Sequence, residues 1–221
     1  MEQNTVDEML KWQSAHRLEA VAERLRQRSF EAEVCETREA ARERVLALAE
    51  PAHSVGFGGS LTVACLNLTR PLREAGKEIL NHGFPGLSPE EKMEIMRRQL
   101  TCDLFLTSTN ALTEEGVLVN VDGNGNRVAA MIFGPRQVVL VAGRNKLVRG
   151  GVQEALARIA EVSGPVNAYR LARKTPCAET GVCVNCAGKC LASICRATTV
   201  LRQRPTSTPF RVLLVNEDMG L

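Results

Sequence analysis

Five cysteines lie in one short run near the carboxy end of the chain, "TPCAETGVCVNCAGKCLASIC" at residues 175–195. Cys183 and Cys186 form a CxxC, the spacing that lets two thiolates of one loop reach a single ion. Four thiolates complete a tetrahedral zinc site or hold an iron-sulfur cluster, and the spacing does not decide between them because it differs from the run of bacterial ferredoxins. We predict a cysteine-rich metal-binding segment at residues 175–196, with free packed thiols as the alternative. The candidate ligands are Cys177, Cys183, Cys186, Cys190 and Cys195.

A glycine-rich turn, "VGFGGSLTV", lies between a predicted strand and a predicted helix that begins near Ser60. Glycines let backbone amides approach a ligand, and the start of a helix offers unpaired N–H groups to an anion. The pattern has neither the GxGxxG of dinucleotide-binding folds nor the Gly-Lys-Ser/Thr of a phosphate-binding loop, so a nucleotide is not indicated. We predict a small-anion site, with a tight turn as the alternative. Its candidate residues are Gly56, Gly58, Gly59, Ser60 and Thr62.

Polar side chains cluster between residues 108 and 148, around three predicted strands. In an open parallel sheet, ligands bind in the crevice beyond the carboxyl ends of the strands. The candidate anion or substrate contacts are Asn110, Asn126, Arg127, Arg144, Asn145 and Lys146. For Arg144 and Lys146, solvated loop charges are the alternative. "DGNGN" at residues 122–126 is also a turn sequence, so Asn124 and Gly125 are assigned to a turn.

Three carboxylates of this stretch, Glu114, Glu115 and Asp122, are candidate general bases if one lies within hydrogen-bond reach of the glycine turn. A loop carboxylate that only caps or flanks the backbone is the alternative for Glu114. The three histidines lack carboxylate or cysteine spacing, and we expect them to be structural.

The periodicity of apolar residues predicts the elements that position these groups. Helices are predicted at 5–29, 38–50, 60–68, 88–100, 151–162 and 166–174, and strands at 30–35, 53–57, 102–109, 116–121, 136–143 and 210–217. Thr37 caps the second helix, Ser88 and Glu91 form a capping box, and Gly164 with Pro165 ends the fifth helix. Alternating strands and helices predict an α/β fold with a doubly wound, mainly parallel sheet that is covered on both faces.

Composition excludes several classes of protein. With 221 residues and 44% apolar content, the chain is long enough for one large core, and we expect a single domain over 1–221. The net charge of +3 is small and its basic residues are interspersed with acidic ones, so we expect no nucleic-acid partner. No stretch approaches the roughly 18 uncharged residues of a membrane span, and from the acidic and amide residues near Met1 we expect no secretion signal. We expect a soluble cytoplasmic protein with no membrane partner. Because the cytoplasm is reducing, the dense run of cysteines favours metal ligation over disulfide bonds.

Three motifs in this order, "VGFGGSLTV", "TSTNALTEEGVLVNVDGNGNRVAAMIFGPRQVVLVAGRNKLV" and "TPCAETGVCVNC", together resemble the LUD domain, the lactate utilisation protein family, over roughly residues 5–218. The resemblance implies the modified doubly wound fold of ribose-5-phosphate isomerase, glucosamine-6-phosphate deaminase and the CoA transferases. In those relatives the turn that corresponds to "GFGGS" holds a phosphate or another anionic group. "TEEG" is faintly similar to the Glu-x-Gly around the nucleophile of CoA transferases, which would give Glu114 that role.

The family pattern also bears on the cysteines. It supports Cys177, Cys183, Cys186 and Cys195 as the ligands, whereas "AGKCLA" is longer than usual and leaves Cys190 as either an added ligand or a bystander.

The resemblance implies a component of an oxidoreductase system that assists the oxidation of L-lactate to pyruvate, with a [4Fe–4S] cluster or zinc as its metal. Whether the chain catalyses by itself is left open. The expected partners are a small anionic substrate, either lactate or a phosphate-bearing molecule, and iron-sulfur partner proteins, with a homodimer also open. Two other functions remain: a non-catalytic regulatory or assembly module with structural zinc, and an acyl/CoA or sugar-phosphate enzyme of the same fold.

Overall fold

The computed structural model describes residues 3–186 and 189–221. Its helices are α1 Gln3–Gln27, α2 Arg38–Leu48, α3 Leu61–Ala64, α4 Thr69–Glu74, α5 Pro89–Gln99, α6 Asn126–Ile132, α7 Val152–Arg158, α8 Gly164–Arg170 and α9 Pro176–Thr180. Its strands are β1 Glu31–Cys35, β2 Ser54–Phe57, β3 Glu78–Leu80, β4 Leu104–Thr107, β5 Ala111–Thr113, β6 Leu118–Asp122, β7 Gln137–Gly143, β8 Leu147–Val148, β9 Ala197–Leu201 and β10 Phe210–Val215. A 3-10 turn covers Arg144–Lys146, and a π-helical turn covers Ile159–Ser163.

The main sheet has six strands in the order β1-β10-β7-β4-β2-β3, and every neighbouring pair is parallel. From β2 the chain moves outward to β3, whereas from β4 it moves the opposite way, through β7 to β10. The direction of winding therefore reverses between β2 and β4, and a crevice opens there at the carboxyl ends of the two strands. The predicted α/β class with a doubly wound, mainly parallel sheet is confirmed.

Apolar residues cover both faces of this sheet. On one face Phe105 packs with residues of α1 and α6, and on the other Leu104 and Leu106 pack with residues of α2 and α4. Burial on both faces explains why the central strands read as continuous apolar runs rather than alternating ones. Each large apolar side chain buried in this way stabilises the fold by about 1.5–3 kcal/mol. The predicted caps are also present: Thr37 accepts a hydrogen bond from the amide of Ala40, and Ser88 and Glu91 form the capping box.

A second sheet, which the sequence analysis did not predict, has the order β8-β5-β6-β9. Residues 116–121 were predicted as a strand, and that strand is β6, but it belongs to this sheet and is antiparallel to β5 and β9. The reason is local: Gly116 has φ of +76° and closes a tight turn between β5 and β6, so the two strands fold back on each other.

The prediction that Gly164 and Pro165 end a helix is wrong. The chain stays helical from α7 through the π turn into α8, because the amide of Gly164 donates to the carbonyl of Ile159, five residues earlier. Pro165 lies in the first turn of α8, where its missing N–H is tolerated. The helix predicted at 60–68 is also shorter than expected, since α3 ends at Ala64 and Asn67 takes a φ of +50°.

None of the helices within the described ranges is both long and apolar enough to cross a lipid bilayer.

Candidate functional site

A cleft of about 520 Å³ opens at the carboxyl ends of β2 and β4, at the point where the winding reverses. The glycine turn after β2 forms one wall, and residues 108–110 after β4 form the floor. Residues 121–127, from the end of β6 to the start of α6, close another side, together with the π turn and the carboxy end of the cysteine segment. The volume lies within the range of pockets that hold small-molecule ligands.

The glycine turn enters the cleft through Gly58, Gly59 and Ser60. A Cβ on Gly58 would lie 3.0 Å from Phe105 and 3.1 Å from the hydroxyl of Thr107, and Gly59 has φ of +73°, so side chains are disfavoured at both positions. Ser60 Oγ accepts a hydrogen bond from the amide of Val63 and caps α3. Within the described chain the amides of Gly59 and Ser60 donate to no other group, so they can approach a ligand.

Gly56 and Thr62 differ from this group. Gly56 lies inside β2, where a Cβ would be 2.9 Å from the sulfur of Cys102, so it is a packing glycine outside the cleft. Thr62 lines the cleft, but its hydroxyl already donates to the carbonyl of Met219 at 3.1 Å.

The guanidinium of Arg127 ties the cleft wall together. Its five donated hydrogen bonds go to Asp122 Oδ2, Asn120 Oδ1, Asn110 Oδ1 and the carbonyls of Ser108 and Val121, at distances of 2.7–3.1 Å. Burial lowers the pKa of Arg127, and the charge of Asp122 opposes that shift. Because all of its donor groups are already used, Arg127 shapes the site rather than offering free donors to a ligand.

Asp122 is likewise engaged with protein groups. Its Oδ1 accepts from the amides of Asn124 and Gly125 at 3.1 and 2.8 Å, and its Oδ2 accepts from Arg127. This is the predicted turn, with Gly125 at φ of +82°. The carboxylate lines the cleft, but it holds the turn and the guanidinium. Asn126, the first residue of α6, also lines the cleft.

Asn110 and Lys146 present free polar atoms to the cleft. Asn110 Oδ1 accepts from Arg127 and from the amide of Val121, whereas its amide nitrogen donates to no group of the described chain. Lys146 is 4% exposed, and its Nζ donates one hydrogen bond, to the carbonyl of Thr109 at 3.0 Å. Burial, together with the positive charges of Arg158 and Arg127, lowers the pKa of Lys146 to about 7.

Glu114 and Glu115 lie outside the cleft, in the turn between β5 and β6. Glu114 Oε1 accepts from Arg17 at 2.8 Å, and Glu115 Oε2 accepts from Arg24 at 3.0 Å. Both carboxylates therefore tie the second sheet to α1, and neither reaches the glycine turn.

Arg144 and Asn145 also lie outside the cleft, although they precede Lys146 in the same 3-10 turn. Arg144 pairs with Asp218 at 3.0 Å, and Asn145 Oδ1 accepts from the amide of Met219 at 3.0 Å. Both hold the chain that follows β10, and of the three consecutive polar residues only Lys146 points into the site.

His82 lines the cleft, which the sequence analysis missed. Its Nδ1 lies 3.1 Å from the amide nitrogen of Gln99, and its Nε2 would lie 3.4 Å from a Cβ on Gly59. Burial lowers the pKa of His82, so the neutral ring faces the glycine turn. No spacing in the sequence links residue 82 to residue 59.

Further cleft residues outside the predicted set are Lys92, Ser163, Asn167, Arg170 and Arg173.

The five thiols of the cysteine segment differ in exposure: Cys177 is buried, Cys183 is exposed, and the other three are partly buried. Asn185, at φ of +50°, directs its amide to the sulfur of Cys183 at 3.4 Å, so the CxxC loop is shaped to support a thiolate. Burial raises the pKa of Cys195, and the charges of Cys183, Cys177 and Cys186 raise it further. Burial is also the main cause that raises the pKa of Cys186. The charges of Cys190, Cys177 and Cys183 act in the same direction.

The thiols raise one another's pKa values, but the described residues do not form a closed coordination sphere. Within residues 3–186 and 189–221, no three His, Cys, Asp or Glu side chains converge on a common point. The donor set and the shaped CxxC loop fit a thiolate metal centre, and metal binding stays a prediction. Cys195 also lines the cleft, so the segment and the cleft share a wall.

Comparison with known proteins identifies the family but not the ligand. The profile of the LUD domain matches residues 18–215. A DUF162 family protein from Deinococcus radiodurans has a similar fold, with a TM-score of 0.53 and 16% sequence identity over 91% of this chain and 98% of that chain. The β subunit of eIF2B from Chaetomium thermophilum matches at a TM-score of 0.34, with 15% identity over 53% of this chain and 47% of that chain. This similarity is too low to indicate a shared fold. No curated protein gives a significant match.

Proposed function

The chain belongs to the LUD domain family, and from that premise we propose that it binds a small 2-hydroxy acid in the cleft, as a component of lactate oxidation with a thiolate metal centre beside the site. The observation that carries the proposal is the position of Cys195, which lines the same cleft as Lys146 and the glycine turn. A redox centre must lie close to its substrate, and a shared wall provides that proximity.

The charge of the cleft favours an anion. Lys92, Arg170 and Arg173 line it, whereas the carboxylate of Asp122 is already neutralised by Arg127. The amide nitrogen of Asn110 and the amides of the glycine turn supply neutral donors for a carboxylate group. We assign the carboxylate of the substrate to these donors.

The proposed reaction needs an electron acceptor. Oxidation of L-lactate to pyruvate removes two electrons and two protons, so the electrons must leave the cleft. An iron-sulfur centre, when bound by the cysteine segment, would supply electron transfer to iron-sulfur partner proteins. Val182, Val184 and Leu191 are exposed on this segment beside Lys189 and Arg196, a surface suited to an acidic partner with an apolar centre.

Two alternatives keep specific support. A regulatory or assembly module with structural zinc would use the same thiols, because zinc requires only a closed tetrahedral set. A sugar-phosphate ligand is favoured by the size of the cleft, about 520 Å³, which exceeds the need of a three-carbon acid. The CoA-transferase hypothesis has less support, because Glu114, its candidate nucleophile, forms an ion pair with Arg17 outside the cleft.

Anaerobic purification followed by iron, sulfide and zinc analysis tests the metal centre. We expect brown protein with iron and sulfide, and loss of both in Cys183→Ser, whereas Cys65→Ser, which changes an exposed thiol outside the segment, keeps them. Colourless protein with stoichiometric zinc would support the structural module instead.

Calorimetric titration with L-lactate, pyruvate and inorganic phosphate tests the ligand. We expect the two organic acids to bind and Asn110→Ala to weaken both. Binding of phosphate alone would favour the sugar-phosphate alternative.

A further inference from the structure

The side chain of Lys146 has surroundings unlike those of an ordinary anion-binding lysine. It is 4% exposed and donates one hydrogen bond, to the carbonyl of Thr109. Among the described residues it forms no ion pair with a carboxylate. The remaining positions on Nζ are therefore available to a molecule in the cleft, which Lys146 lines.

Two guanidiniums, those of Arg158 and Arg127, act on the charge of this amine. Arg158 donates to the carbonyl of Asn110 at 2.7 Å and to Ser163 at 3.0 Å, and Arg127 donates to the side chain of the same Asn110. Both guanidiniums are fixed by these bonds, and both disfavour an ammonium at Lys146, whereas Cys65 has a smaller effect in the opposite direction. With the pKa of Lys146 at about 7, a large share of the amine is neutral at neutral pH.

A neutral, desolvated lysine in a cavity is a nucleophile toward carbonyl carbons. A protonated lysine would also bind an anion. Its ammonium group, however, is more stable beside a carboxylate or near solvent than in a buried site without a carboxylate. The arrangement around Lys146 thus suits addition to a carbonyl better than simple charge pairing.

We propose that Lys146 captures 2-oxo acids in the cleft as a covalent imine. The inference deepens and rests on the proposed site for small acids, because the carboxylate of the 2-oxo acid is the group that the cationic wall and the neutral donors hold. L-lactate carries a hydroxyl at C2 and offers no electrophilic carbon, so the oxidised acid is captured and the reduced acid is not.

The covalent step balances without an oxidant or reductant. The lone pair of Nζ forms an N–C bond to C2 while the π electrons of the C=O bond move to oxygen. Both hydrogens of the neutral amine are transferred to that oxygen, which leaves as water as the C–O bond breaks and the C=N bond forms.

Reductive trapping tests the inference. Protein is incubated with pyruvate and sodium cyanoborohydride, and its intact mass and peptide map are measured. We expect a gain of one pyruvate less one water plus two hydrogens, located on Lys146, with a rate that rises through a pH of about 7 and then levels off. L-lactate should give no adduct, and acetone, which lacks the carboxylate, should react far more slowly.

Two variants separate chemistry from folding. Lys146→Met keeps an unbranched side chain of similar length without a charge and cannot form the imine, so it should lose the adduct while its circular dichroism stays that of the wild type. Lys77→Met is the matched control, since Lys77 donates to the carbonyl of Glu50 at 2.6 Å but lies outside the cleft, and it should keep full labelling at Lys146.

The outcomes distinguish this inference from the proposed function. If pyruvate binds by calorimetry but no adduct forms on Lys146, the imine is overturned and the small-acid site stands. Equal labelling of Lys77 and Lys146 would also overturn it, because the reaction would then be one of accessible lysines. If pyruvate neither binds nor labels, both the site and the imine fail.

Discussion

The cleft and the cysteine segment meet at Cys195, yet they are built by opposite means. In the cleft, Arg127 and Asp122 are buried and hydrogen bonded to their neighbours, so the protein alone fixes their positions. In the segment, Cys183 and its neighbours Val182 and Val184 are exposed, and few bonds join them to the rest of the fold. The difference suggests that packing organises the first region, whereas a metal would have to organise the second.

This contrast matters for function because the two regions have different tasks. A binding site gains from rigid donors that need no reorganisation when a ligand arrives. A thiolate site gains most of its order on binding the metal, since like charges disfavour a converged set of empty thiolates. Three measurements test whether the two regions differ in this way.

The largest expected effect is on Arg127. Arg127→Met removes the partner of Asp122, leaves the oxygen of Asn120 unpaired and removes one of the two donors to Asn110 Oδ1, so we expect a loss of about 3–5 kcal/mol in the free energy of unfolding. Urea denaturation measures it. Arg70→Met is the control, because that side chain is 88% exposed and its pair with Glu74 should contribute no more than about 0.5 kcal/mol. Equal losses in the two variants would contradict a packed, fixed cleft wall.

The next effect is the pH dependence of stability at Lys146. The pKa of Lys146 is about 7 in the folded protein, below its ordinary value, so between the two values the unfolded chain holds a proton that the folded chain lacks. Stability therefore rises with pH above about 7 and is lost as pH falls back through that window, by up to about 1.4 kcal/mol per pH unit.

Urea denaturation from pH 7 to pH 9, compared between the wild type and Lys146→Met, measures this slope. We expect Lys146→Met to lack the part of the slope that comes from Lys146, and Lys77→Met to keep it. All other titrating groups are shared with the wild type, so their contributions to the slope cancel in each comparison. An unchanged slope in Lys146→Met would mean that the buried amine stays protonated.

The smallest effect on global stability is expected from metal removal. Treatment with a chelator should expose the bonds near Val182 and Leu191 to limited proteolysis, because the segment lacks other support. The free energy of global unfolding should change by less than about 1 kcal/mol, since the sheet does not depend on the segment. A large loss of global stability on chelation, or no change in proteolysis, would remove the contrast between the two regions.

Local patterns predicted much of this arrangement. Continuous apolar runs such as the one in β4 predicted a sheet buried on both faces, and the capping box at Ser88 predicted the start of α5. The glycine turn was also predicted, because Gly58 and Gly59 are needed where the backbone turns tightly beside Phe105. These features depend on residues that are close in sequence, and short-range sterics and hydrogen bonding determine them.

Long-range pairing was not predictable in the same way. Asn145 and Lys146 are adjacent, but Asn145 holds the chain after β10 whereas Lys146 enters the cleft. The π turn kept the helix running through Gly164 and Pro165, which a local rule reads as a stop. His82 reached the glycine turn only because Gln99 ties it to the ends of β2 and β3.

The amino-acid sequence by itself determined the class of fold, the polar stretches that follow its strands and the spacing of its thiols, because each arises from the identity and order of neighbouring residues. The tertiary structure decided which of those polar groups remain free, since that depends on partners far apart in the chain. Asp122 and Arg127 neutralise each other, Glu114 pairs with α1, and Lys146 is left in the cleft without a carboxylate among the described residues.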